Sequence, residues 1–93
     1  MTLLGDAEIE RRLSGGEWRR HEGDAIARDF ELADFAGAIA FVNRVAEAAE
    51  ELNHHPDMLV HGWNKVRLTL STHSQGGVTE ADFELAARID RLV

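Results

Sequence analysis

Between Asp34 and Asn53 the apolar residues Phe35, Ala38, Ile39, Val42, Val45, Ala46, Ala49 and Leu52 recur at steps of three and four. That spacing puts them on one face of an α-helix, with Arg44, Glu47, Glu50 and Glu51 on the other. A helix this long has to lay its apolar face on a second layer, which excludes an all-β architecture. The lone proline, Pro56, bounds it. Residues before a proline are pushed out of the α region, so the helix is expected to stop near His54-His55.

Paired strands are expected on either side. Glu17–His21 and Ala25–Leu32 read as a hairpin about Glu22-Gly23-Asp24, with Ile26, Phe30 and Leu32 sharing a face that Arg28 interrupts. Asp57–His61 reads as extended, although Met58-Leu59-Val60 is an unbroken apolar run. After Gly62, Trp63–His73 reads as a longer strand with Val66, Leu68 and Leu70 on one side and Arg67, Thr69, Ser71 and His73 on the other. Asp6–Leu13 is a short first helix ended by Gly15-Gly16, and Gln75-Gly76-Gly77 is a turn. Thr79 and Asp82 are close to a capping box opening a last helix that runs to Val93. Ala33-Asp34-Phe35 and Ala81-Asp82-Phe83 recur 48 residues apart, each after a strand pair. The prediction is an α+β fold: one α-β-β-α-β-β-α domain over 1–93, a four-stranded antiparallel sheet with helices packed on one face.

Composition narrows the function. The 93 residues include no cysteine, so neither a disulfide framework nor a thiolate nucleophile is available. With 17 acidic against 10 basic side chains the net charge is −7, which argues against a nucleic-acid partner. No run approaches the ~20 apolar residues of a membrane span. The start, Met1-Thr2-Leu3-Leu4-Gly5-Asp6, meets acid too soon for a secretory signal, so a cytoplasmic location is expected. A chain this short buries roughly 60–65% of its unfolded surface, and subunit association would supplement the core.

Five histidines are present. His54 and His55 sit where the long helix ends, and the parity of the later strand takes His73 out of the core. Histidine titrates nearest neutrality, so such a group can hold one ring as base and another as acid. The alternative for the pair is a plain helix cap, because the dipole favours a cation there. Metal ligation is the weaker option, since the His-x-x-x-His and His-x-His spacings of common chelates are absent.

Glu50-Glu51-Leu52-Asn53-His54-His55-Pro56-Asp57, Trp63-Asn64-Lys65-Val66, Leu70-Ser71-Thr72-His73 and Gly77-Val78-Thr79 with Asp82 together resemble the signature of the pterin-4a-carbinolamine dehydratase family. Trp18, Asp24-Ala25-Ile26 through Phe30, Phe35 and Phe41 also look like family positions, so the resemblance runs from Trp18 to the end. Its specificity comes from combining His-His-Pro with a Ser-Thr-His eighteen residues after the second histidine. Departures are conservative: Val78 where leucine is usual, Met58 where an aromatic or β-branched residue is common, and Trp63 where tyrosine is also accepted.

The resemblance implies dehydration of 4a-hydroxytetrahydrobiopterin to quinonoid dihydrobiopterin in cofactor regeneration, with no metal and no cofactor, the pterin being the substrate. It implies His54, His55 and His73 as the catalytic three, with His55 and His73 moving protons and His54 assisting. Glu50, Pro56, Asp57 and Trp18 are its candidate substrate-binding residues. Glu50 lies one helical turn before His54 and either orients that ring, binds the pterin's amino-pyrimidine edge, or is a solvated acid. Pro56 fixes the backbone of the histidine pair or only ends the helix. Asp57 holds a tautomer or caps the next strand. Trp18 stacks on the pterin or is a core aromatic. His21 and His61 match no catalytic position. The implied partners are a second copy, as homodimer or homotetramer, and functional coupling to an aromatic amino acid hydroxylase. The rival reading is a non-catalytic interaction module of the same fold, a dimerisation cofactor or an assembly factor.

Overall fold

The computed structural model describes residues 2–93, and Met1, part of the amino-terminal segment discussed above, lies outside them. The elements are α1 (Asp6–Leu13), β1 (Arg19–His21), β2 (Ala25–Glu31), α2 (Phe35–Leu52), β3 (Asp57–His61), β4 (Lys65–Leu70), a 3-10 turn (His73–Gln75) and α3 (Glu80–Asp90). The strands form one antiparallel sheet in the order β1-β2-β4-β3. The expected α+β order is found, with strand ends shorter than the sequence suggested. Gly62 and Trp63 both have positive φ, 54° and 59°, so they turn the chain and β4 starts only at Lys65. Beyond Leu70, Thr72 bridges to Gly77 and His73 enters the 3-10 turn rather than closing a strand. Among the described residues no helix is long and apolar enough to cross a membrane.

Register sorts the side chains. Ile26 pairs with Leu70, Phe30 with Val66, and Met58 with Leu68, which places these residues on one face. Against that face pack Ile9 of α1, Phe41 and Val45 of α2, and Leu85 and Ile89 of α3, all buried. Arg28 shares the face without breaking it. Its guanidinium donates to Asp90 Oδ1 at 2.7 Å and stacks over the Phe30 ring at 4.5 Å, so the charge is neutralised at the rim. The opposite face carries Asp29, Arg67, Thr69 and Asp57 and no helix.

The apolar stripe of α2 is wider than the face the sheet covers. Phe41 and Ala48, off the expected stripe, are buried, whereas Phe35 is 54% exposed and Ile39 37%. The helix thus presents its 38–41–45–48 line to the core and turns the 35–39 line outward.

Both ends of α2 are chemically fixed. Asp34 accepts from the Gly37 amide at 2.7 Å as the amino-terminal cap. The stop is Asn53, not Pro56. Asn53 adopts a left-handed conformation (φ 51°, ψ 43°), its amide bonds Glu50 O and the His54 amide bonds Ala49 O. These are the two hydrogen bonds of a Schellman turn.

The twice-used strand–strand–helix unit is real at the level of topology: two three-residue hairpin loops, Glu22-Gly23-Asp24 and Gly62-Trp63-Asn64, each feed a helix through the inner strands β2 and β4. The repeated tripeptide is not equivalent in detail. Asp34 is a cap, whereas Asp82 lies three residues inside α3 and Thr79 caps it, in a complete capping box.

Candidate active site

Asp82 is fully buried, and each of its carboxylate oxygens is committed. Oδ1 lies 2.6 Å from His54 Nε2. Oδ2 accepts from Thr72 Oγ1 and from the Thr79 amide, both at 2.9 Å. Thr72 and Thr79 hydroxyls are themselves 2.8 Å apart. A carboxyl group buried this completely is tolerated because both of its oxygens have hydrogen-bond partners. One carboxylate therefore ties together the end of α2, the start of α3 and the segment that presents His73. His54 Nε2–H donates to Asp82, which fixes the ring and leaves Nδ1 as its free nitrogen.

His54 is 13% exposed at its side chain, whereas His55 is 58% exposed. Glu50 reaches His55 Nε2 at 2.5 Å, and not His54. The left-handed Asn53 explains the difference. It takes the chain out of the helix before His54, so the i, i+4 relation with Glu50 no longer holds and His55 swings back over the last turn.

His73 stands at the start of the 3-10 turn, exposed, on a cavity of about 270 Å³ on the helix-free face of the sheet. Asp57, first residue of β3 and paired with Thr69, lines the same cavity. Half-buried Pro56 joins His55 to that strand. The three histidines thus emerge from two segments that Asp82 holds in common, one ring committed to a buried carboxylate and two facing solvent. Of the three, His73 lines the cavity, and His54 and His55 stand outside its lining. Imidazoles of this kind can exchange protons with a bound molecule.

Trp18 takes the core alternative. It is 7% exposed, packs edge-on to Phe30 at 6.4 Å, and its indole N–H donates to Asp90 Oδ1 at 2.8 Å. The hollow beside it is lined by Arg12, Phe83 and Ala86 and contains none of the three histidines. The residue that the sequence under-reads is Asp82, recognised in a capping box and in the family signature but given no role beside the histidines. A buried acid in a capping box is a cap by default, and nothing local signals that its second oxygen is needed by His54.

The model of the family described as pterin 4 alpha carbinolamine dehydratase matches residues 2–92. A protein of Roseiflexus castenholzii that carries the provisional name pterin-4-alpha-carbinolamine dehydratase is 50% identical over 92 residues, covering 99% of this chain and 98% of its own. A similarly named Sulfolobus acidocaldarius protein is 43% identical, covering 96% and 97%. Among solved structures, a transcriptional coactivator/pterin dehydratase from Brucella melitensis superposes with a TM-score of 0.90 at 35% identity, covering 98% of each chain. A pterin dehydratase-like protein identified as a RuBisCO assembly factor in the alpha-carboxysome superposes with a TM-score of 0.68 at 28% identity, covering 84% of this chain and 90% of its own.

Proposed function

Because the chain belongs to the pterin 4 alpha carbinolamine dehydratase family, we propose that it removes water from a 4a-hydroxytetrahydropterin, 4a-hydroxytetrahydrobiopterin in the first instance. The observation that carries the reading is the Asp82 carboxylate, shared by His54 and by Thr72 beside His73. Capping α3 accounts for Oδ2 of this carboxylate, and the tie from Oδ1 to an imidazole is the part that acid–base chemistry calls for.

In the reaction the bond between carbon 4a and its hydroxyl breaks, the N5–H bond breaks, and a double bond forms between carbon 4a and N5. One cationic imidazole protonates the departing hydroxyl, which leaves as water. One neutral imidazole accepts the N5 proton. His55 and His73, the exposed pair, exchange these protons, and solvent restores their starting states. His54, held by Asp82, hydrogen-bonds the leaving group or the ring through Nδ1. Glu50 orients His55, and Asp57 closes the site beside His73. Each step moves a proton between imidazole and substrate, so the chemistry draws on no metal and no cofactor. Regeneration of the cofactor of an aromatic amino acid hydroxylase is the setting such a reaction fits.

Self-association accompanies this reading. Phe35, Leu59 and Trp63 are all more than half exposed, and Ile39 joins Phe35 on the outward line of α2. A second copy would cover them, as a homodimer or homotetramer. The same residues support the second reading, an interaction module. Trp63 in particular is 60% exposed in a left-handed conformation that a bulky residue rarely adopts. The test is direct assay with a 4a-hydroxytetrahydropterin generated in situ. Acceleration above the spontaneous rate supports the enzyme; none would give the interaction module the lead.

A further inference from the structure

The cavity that holds His73 and Asp57 has a third wall, and it comes from the other end of the chain. His21, last residue of β1, and Glu22 and Asp24 of the following loop line it opposite His73. Ala25, Thr69 and Ser71 lie between, a floor of small side chains on β2 and β4. Strand order puts β2 alone between β1 and β4, so His21 stands two strand spacings, about 10 Å, from the His73 side. A separation of that order, in a cavity of about 270 Å³, suits a short chain between the two imidazoles.

This wall is rigid. Arg20 Nε and Nη2 donate to Gly23 O at 3.1 and 2.7 Å, and Ser71 Oγ donates to Asp24 O at 2.7 Å. Three side-chain hydrogen bonds thus pin two carbonyls of a three-residue loop to the sheet. Glu22 is meanwhile held at φ 52°, a left-handed conformation uncommon for a residue other than glycine.

We infer that His21 is a specificity-determining residue, contacting a short, uncharged, hydroxyl-bearing substituent on carbon 6 of the pterin. The inference rests on the dehydratase reading above. Carbon 6 is bonded to N5, so when His73, which lines this cavity, works at N5 or at the 4a-hydroxyl, the carbon 6 substituent starts at the edge of the same cavity. From there it runs over Ala25 and Ser71 to His21. An imidazole both donates and accepts, and the Glu22 and Asp24 carboxylates accept, so hydroxyl groups find partners there. The same carboxylates, with Asp57, repel a substituent that carries a carboxylate or a phosphate.

The experiment compares three stable dihydropterin probes carrying at carbon 6 a methyl group, a dihydroxypropyl chain, or a carboxylate. Binding is read by fluorescence quenching, beside dehydration of the methyl and dihydroxypropyl carbinolamines. Wild type is expected to bind the dihydroxypropyl probe about fivefold more tightly than the methyl probe, the usual worth of one neutral hydrogen bond, and the carboxylate probe most weakly. His21→Leu should remove the fivefold preference in binding and in the kcat/KM ratio, and His21→Gln should restore part of it. Equal affinities of wild type for the two neutral probes, a preference that survives His21→Leu, or tightest binding of the carboxylate probe would each overturn the inference. If wild type shows the preference in binding yet dehydrates neither substrate, the specificity role stands and the dehydratase reading fails.

Discussion

His54 Nε2 and Asp82 Oδ1, 28 residues apart in the chain, lie 2.6 Å apart, and the second oxygen of the same carboxylate holds Thr72, the residue before His73. Asp82 is thus a positioning residue for two separate histidine segments while it also completes the capping box of α3.

Replacing Asp82 should therefore cost both stability and rate, in separable ways. Asp82→Ala leaves the Thr72 hydroxyl, the Thr79 amide and the His54 ring without their acceptor, and a destabilisation of about 3 kcal/mol is expected in urea unfolding. Asp82→Asn keeps the shape and, with its amide oxygen toward Thr72 and Thr79, two of the three contacts, so it should unfold closer to wild type. Its turnover should nonetheless fall about tenfold with a changed pH–rate profile, because an amide no longer selects one state of His54. A wild-type profile in Asp82→Asn would reduce Asp82 to a cap.

His73 is exposed at the start of the 3-10 turn, where its side chain lies outside the core. His73→Ala should slow dehydration about 10²-fold or more, the scale of a positioned acid–base group. Its unfolding midpoint should stay within experimental scatter of wild type. Undiminished turnover would remove His73 from the mechanism.

Glu50 pairs with His55 between two largely exposed side chains. Exposed pairs of this kind contribute about 0–1 kcal/mol to stability. Glu50→Gln is accordingly expected to leave the melting temperature nearly unchanged and to lower kcat/KM several-fold by loosening His55. An equal loss in Glu47→Gln, on the same helix but outside the site, would point to general charge rather than orientation.

Acid sensitivity is expected from the surface. Hydrogen bonds from Arg11 and then Arg12 hold the Glu8 carboxyl at about 2, against an ordinary 4.5, and Arg67 followed by Arg19 lowers that of Asp29. Folded-state values below the unfolded ones mean that the stabilisation is complete above about pH 4.5 and is lost as pH falls toward 2. Urea midpoints followed across that window should decline, less steeply in Glu8→Gln and less steeply again in high salt. A decline identical in wild type and Glu8→Gln would assign the effect to other groups.

Activity should also survive a chelator. Dehydration measured with and without EDTA is expected to proceed at one rate, and a loss that zinc or iron restores would return the metal reading.

Much of this architecture could be read from spacing. The bounds of α1 match the expected Asp6–Leu13, the two strand pairs and α2 fall where periodicity put them, and the sheet has the expected four antiparallel strands. What could not be read depends on the third dimension. The stripe on α2 is too wide for its centre to be fixed from one helix alone, so Phe41 changed places with Phe35. Asn53 could have been recognised as a helix stop, but Pro56 three residues on offered a stronger rule. His21 had no motif to mark it, and only the order of the strands brings it opposite His73.

Between the left-handed Asn53 and the first residue of β3 the chain has only His54, His55 and Pro56. Those residues are the whole connection, so the site is built on a joint without slack. One residue inserted there would shift β3 by one place against β4 and turn Leu59 and Val60 to opposite faces, or else bulge the histidine pair away from Asp82. Length at this joint, more than the identity of any side chain outside the histidines, is what a lineage carrying this site is least free to change.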